Sequence, residues 1–191
     1  MAFENFKTKD AVVVVYTGEG KGKTSASVGL LARALGREWR VAYIQFVKMW
    51  ETGESKFIDK IRRGNVFGDK LFYYRGGKGF YNAGDLSAKD VTEEQHRQAA
   101  NETYEIAFEK ATSGEWDLVI CDEINNSVHD GLLPVKKLED LLRKKHAQTS
   151  ICVTGRDFPE ELVKYTDIAT NMTKIKHHFD DKYLANKGID Y

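Results

Sequence analysis

Apolar, β-branched runs alternate along this chain with longer amphipathic stretches. Six runs read as strands: residues 11–17, 40–46, 70–74, 116–122, 149–154 and 167–172. In "VVVV" (12–15) and "LVI" (118–120) the apolar residues are consecutive, as in strands covered on both faces. Between the strands lie helical patterns. Val28, Leu31, Ala32 and Leu35 recur at helical spacing, with Gly36 as a stop. Thr92 and Gln95 have the form of a capping box, opening a long helix whose stripe is Ala100, Tyr104, Ala107, Phe108 and Ala111 and which ends at Gly114. Pro134 opens a third helix with Val135, Leu138, Leu141 and Leu142 facing inward, and a short fourth follows Phe158-Pro159. Within the third, "KKLEDLLRKK" is a solvated helix face. This alternation predicts an α/β fold: a mainly parallel sheet with helices on both faces. One stretch breaks the rhythm. Residues 75–89, "RGGKGFYNAGDLSAK", hold four glycines and two adjacent aromatics, long for a plain connection and of the kind that carries function.

Composition narrows the picture modestly. A length of 191 residues fits one domain, 1–191, with a short N-terminal segment (1–10) and a tail (173–191). Lys+Arg and Asp+Glu balance at 29 each, which argues against a general nucleic-acid or membrane surface. The start "MAFENFKTKD" is unlike a signal peptide, and no apolar run approaches the ~20 residues that span a bilayer. Cys121 and Cys152 each sit in a strand-like apolar run and read as small buried hydrophobes, with neither zinc nor disulfide suggested. The chain reads as cytoplasmic.

The chemistry gathers first at "YTGEGKGKT" (16–24). A phosphate-binding loop has a glycine, four free positions, then Gly-Lys-Ser/Thr. Anchored on Gly22, Lys23 and Thr24, the first glycine belongs at 17, where Thr17 stands, and Gly18 comes one place late. The flanking strand and helix are both present, so backbone N–H groups and the positive end of a helix dipole converge on an anion. Gly18, Gly20 and Gly22 let the backbone curl close to it. Lys23 reaches between phosphates, Lys21 adds a second cation, Glu19 lies within the loop, and Thr24 offers its hydroxyl to a magnesium ion with Ser25 beside it.

A second piece is "WDLVICDEI" (116–124), an apolar strand ending in Asp122 and Glu123. Carboxylates delivered to that sheet edge suit a hard dication such as Mg2+, which prefers oxygen ligands and keeps several waters. A hydrolase also needs a group that orients water and commonly an arginine near the γ-phosphate. Gln45 and Arg156 are the candidates, neither specific.

The assembled motifs resemble one family. "YTGEGKGKTSASVGLLARALG", "VAYIQFVK", "GES", "LVICDEI", "VTGRDFPEELVKYTDIAT" and "IKHHFDDKYLANKGIDY" are similar, in order, to the ATP:corrinoid adenosyltransferases of the cobalamin pathway. Residues 48–115 match weakly. The resemblance implies a P-loop NTPase (RecA-like) architecture and a reaction in which reduced cobalt, Co(I), attacks the 5′ carbon of ATP and the whole triphosphate departs. It implies ATP, Mg2+ and a cobalamin or other corrinoid as the small molecules, a homodimer, and an electron donor such as a flavoprotein. It assigns Gly18, Glu19, Gly20, Lys21, Gly22, Lys23, Thr24, Ser25 and Arg33 to the nucleotide, Lys23, Thr24 and Glu123 to catalysis, and Thr24, Asp122 and Glu123 to the metal. The family wedges aromatics beneath the corrinoid with a Gly-Phe-x-Trp pattern; here "GFYN" keeps Phe80, offers Tyr81 and puts Asn82 in place of the tryptophan. About ten residues precede the first strand, so a shorter lid over the corrinoid is expected. His177 and His178 read as tail packing. The competing readings are a P-loop ATPase or small-molecule kinase, and a non-catalytic ATP-dependent corrinoid-binding protein.

Overall fold

The computed structural model describes residues 5–48, 50–79, 81 and 90–191. Six strands form one sheet: β1 (Val13–Thr17), β2 (Val41–Gln45), β3 (Leu71–Arg75), β4 (Leu118–Asp122), β5 (Ser150–Thr154) and β6 (Ile168–Asn171). Their order is β3-β2-β4-β5-β1-β6, and every pairing is parallel. All six strands therefore end at the same edge, and β5 separates the strand that leads into the glycine loop from the strand that carries the acids. This is the α/β parallel sheet that the alternation predicts, in the P-loop NTPase-like arrangement that the resemblance implies. Parallel strands need crossovers, supplied by α1 (Lys23–Leu35), α2 (Gly53–Arg63), α3 (Glu93–Thr112), α4 (Ile124–His129) and α5 (Val135–Lys144). Among the described residues no helix is long and apolar enough to cross a membrane.

The period-2 geometry of the strands splits the core in two. Val119 and Cys121 of β4 face α3, α4 and α5 with Ala107, Ile124, Leu138 and Leu141. Leu118 and Ile120 face α1 and α2 with Leu31, Leu35 and Ile58. Each fully buried Leu or Ile contributes about 1.5–3 kcal/mol. The cysteines are buried and free, Cys121 behind one face and Cys152 behind the other.

The capping box stands: Gln95 N–H donates to Thr92 Oγ1 at 3.2 Å, and Thr92 N–H donates to Gln95 Oε1 at 2.9 Å. Three expectations need correction. Val135 is exposed rather than inward, because the first residue after Pro134 lies beyond the core that Leu138, Leu141 and Leu142 reach. The fourth helix is a 3-10 turn, Glu160–Tyr165, in which Leu162 alone is buried. The helices α2 and α4 were not expected. The first buries only Ser55 and Ile58, too thin a stripe to read; the second has six residues, too few for a period.

Candidate active site at the strand ends

The glycine loop leaves β1 and enters α1 across the end of β6. Gly20 N–H donates to Met172 O at 2.6 Å, and Met172 N–H donates to Thr17 O at 2.8 Å. The late glycine has a physical reason. Gly18 has φ 101°, and a Cβ there would stand 2.0 Å from Asn171 Oδ1 and 2.6 Å from Met172 O. Gly22 caps α1 with φ 105°, and no side-chain hydrogen bond caps the helix start. Lys23 folds over the loop, and its Nζ donates to Gly18 O at 2.5 Å and to Gly20 O at 2.7 Å. Burial, and then Arg156, holds its ammonium below the ordinary lysine value. Thr24 is half-buried in the first turn of α1, and Ser25 beside it is exposed. Glu19 is exposed 3.6 Å from Arg156, while Lys21 lies 3.5 Å from Asp190 in the tail. Arg33 is exposed in the last turn of α1, ten residues and about 15 Å of helix rise from Lys23.

The two acids at the end of β4 have opposite surroundings. Asp122 is fully buried, accepting from Thr154 Oγ1 at 2.8 Å and from Gln45 Nε2 at 3.0 Å. Gln45 in turn accepts from the Tyr73 hydroxyl at 2.7 Å. The candidate for orienting a hydrolytic water is therefore buried and tied into a cross-strand network, which corrects that expectation. Glu123 follows in a left-handed conformation, φ 64°, which a non-glycine residue adopts at a cost and which is common at functional positions. Its N–H donates to Thr154 Oγ1 at 2.9 Å. Its Oε2 is buried and accepts no hydrogen bond from the described residues. Burial, opposed by Lys48 and reinforced by Asp122, pushes its carboxyl up to about 7.

Sequence reasoning missed Lys48 and Glu54 as individual residues, although both lie in motifs singled out above. Lys48 Nζ donates to Glu54 Oε1 at 2.9 Å and stands 4.0 Å from Glu123 Oε1. Burial disfavours the Lys48 charge, yet Glu123, Asp122 and Glu54 together hold its ammonium above the ordinary value. Despite burial, Lys48 keeps the Glu54 carboxyl below its ordinary range. The corner is thus a buried cation shared between two carboxylates, one of them with an oxygen to spare.

A family model, described as "ATP:corrinoid adenosyltransferase BtuR/CobO/CobP", matches residues 9–191. The chain belongs to that family. The corrinoid adenosyltransferase of Sinorhizobium is 31% identical over 182 residues, 94% of this chain and 80% of its own. Those of Pseudomonas aeruginosa and Escherichia coli K12 are 28% and 26% identical over 181 residues, again 94% of this chain, and 83% and 85% of theirs.

In this adenosyltransferase the residues present fit a hard dication. A carboxylate oxygen of Glu123 is buried without a donor among the described residues, and a hydroxyl stands at Thr24 in the first turn of α1. Asp122 supports from behind, both its oxygens already accepting. Of the aromatic pair, Phe80 lies outside the described residues, as does Asn82. Tyr81 is half-buried; its hydroxyl donates to Glu93 Oε2 at 2.9 Å and its ring centroid lies 5.3 Å from that of His96, at the start of α3. The chemistry that the arrangement offers is tight holding of a polyanion beside a carboxylate-bound cation.

Proposed function

We propose that this chain transfers the 5′-deoxyadenosyl group of ATP to the Co(I) centre of a reduced corrinoid and releases triphosphate. The cobalt lone pair forms the Co–C bond as the bond between C5′ and its phosphate oxygen breaks, and the bonding electrons leave with the triphosphate. What carries this reading is the family match over residues 9–191, laid over a loop that gathers lysines and amides for a polyanion. The chemistry asks for no protein nucleophile, so the protein's part is to hold ATP and offset charge on the departing group.

Lys21, Lys23 and the backbone amides of residues 18–24 hold the phosphates, with Glu19 and Ser25 at the rim of the loop. Thr24 and Glu123, backed by Asp122, hold Mg2+, which when bound neutralises part of the triphosphate charge. Arg33 is assigned to the nucleotide by motif alone. Phe80 and Tyr81 form the corrinoid side, and the Tyr81 hydrogen bond to Glu93 supports a fixed ring. A one-electron donor such as a flavoprotein supplies Co(I), and the working unit is a cytoplasmic homodimer. Against the ATPase reading stands Gln45, which is bound to Asp122 rather than free to orient water.

The decisive experiment is anaerobic: chemically reduced cob(I)alamin, ATP and Mg2+ with the protein. The expected result is stoichiometric adenosylcobalamin and triphosphate. ADP and phosphate as main products, at a rate indifferent to corrinoid, would overturn the proposal.

A further inference from the structure

The C-terminal tail is mostly exposed, with Leu184 at 81% and Ile189 at 84%, yet the Asp190 side chain between Ile189 and Tyr191 is only 8% exposed. Its Oδ2 accepts from Asn186 N–H at 2.8 Å and lies 3.3 Å from His178 Nε2. Its Oδ1 lies 3.8 Å from His177 Nε2 and 3.5 Å from Lys21 Nζ. The turn around it is closed by Gly188 N–H on Tyr191 O at 2.9 Å and Asp190 N–H on Asn186 O at 2.8 Å. The tail thus ends in a carboxylate that collects donors, one of them from the phosphate loop.

Two histidines and an aspartate whose ligand atoms lie within 4.8 Å of one another resemble a metal site. Hydrogen bonding argues otherwise. His177 Nδ1 accepts the N–H of Phe179 at 3.0 Å. An acceptor at Nδ1 leaves the ring proton on Nε2, so the His177 nitrogen facing Asp190 is a donor with no lone pair for a metal, which leaves only His178 and Asp190 of the three as ligands.

We infer that Asp190 is a positioning residue for Lys21, aiming its ammonium at the phosphates. The inference rests on the reading of Lys21 as a phosphate ligand given above. Lys21 sits between two glycines, on backbone that restrains it little, and a lysine stem is rich in rotamers. A fixed anion beside Nζ narrows that freedom. Lys21 remains 59% exposed, and Asp190 divides its charge among Asn186, His177 and His178 as well. The carboxylate therefore steers the ammonium without sequestering it. The Asn186 N–H, with Lys21 and His178, holds the Asp190 carboxyl below its ordinary value, so it stays ionised.

The test is a double-mutant cycle on the full chain, read by calorimetric titration with MgATP and no corrinoid. Asp190→Asn and Lys21→Met each weaken MgATP by roughly 3–10-fold, and the double variant is no weaker than Lys21→Met alone. In steady-state assays Asp190→Asn raises KM for ATP while kcat stays within about two-fold, and Asp190→Glu recovers much of the affinity. Additive losses, unchanged affinity in Asp190→Asn, or tighter binding (the result if Asp190 merely competed with phosphate) overturn the inference while leaving the loop reading intact. Unchanged affinity in Lys21→Met overturns the role of Lys21 and this inference with it. Adenosyl transfer does not enter the titration, so its failure would not be mistaken for either.

Discussion

The glycine loop and the acid corner at the end of β4 face the same edge of the sheet and are built by different means. The loop is backbone work: left-handed glycines, a helix start without a side-chain cap, and a lysine bonded to carbonyls of its own turn. The corner is side-chain work, assembled from β2, β3, β5, α2 and the segment after β2, with a network that saturates Asp122 and leaves an oxygen of Glu123 unmatched. A loop built from backbone tolerates little change of shape. A corner built from side chains can be retuned one residue at a time, and its two neighbouring carboxylates respond in opposite ways.

The strongest test of the loop is Lys23→Ala. Loss of a charge-assisted contact to phosphate in a half-buried setting is expected to weaken MgATP by at least about 100-fold in a calorimetric titration. At the corner, Glu123→Gln is expected to cut kcat/KM by roughly 10–100-fold and to raise the Mg2+ concentration needed for half-activity. Its Tm holds or rises, because a buried carboxylate with one oxygen unsatisfied among the described residues is removed. Asp122→Ala does the reverse to the fold. It strands the donors of Gln45 and Thr154 and is expected to cost about 2–4 kcal/mol in denaturant unfolding. Equal Tm losses in the Asp122 and Glu123 variants would erase the distinction between them.

The pH dependence sharpens it further. The Glu123 carboxyl lies near 7 in the fold against an ordinary value of 4.5. Between those values the folded state holds a proton that the unfolded chain has lost, so this group's contribution to stability is present below 4.5 and falls away as pH rises through about 7. Lowering pH from 8 to 6 is expected to raise the Mg2+ concentration needed for half-activity through protonation of the same group, and Glu123→Gln should flatten both profiles. The smallest effect belongs to Lys48→Met. Without the cation, burial, Asp122 and Glu54 act on Glu123 against Lys23 alone, moving the midpoint of the Mg2+–pH profile upward by a fraction of a pH unit, with about 1–2 kcal/mol lost in unfolding.

All six strands, and the helices α1, α3 and α5, were legible in the sequence because their signals are contiguous: apolar runs, a capping box, a proline start. The loop was legible for the same reason. The division of labour between Asp122 and Glu123 was not, because it depends on Gln45, Lys48, Glu54 and Thr154, which are remote in sequence: Thr154 lies 31 positions from Glu123, and Gln45 lies 77 from Asp122. Asp190 escaped notice likewise. Its partner Lys21 stands at the opposite end of the chain, and only docking of the tail brings the two together. The histidines of the tail, expected to pack, face that aspartate.

The paired placement of the cysteines has a practical consequence. Burial pushes both thiols well above their ordinary values, so neither presents a thiolate to solvent in the native state. Each lies beneath a different helical layer, so the rates at which a small alkylating reagent reaches Cys121 and Cys152 clock the parting of each layer from the sheet. The molecule carries its own pair of opening gauges, one on either side.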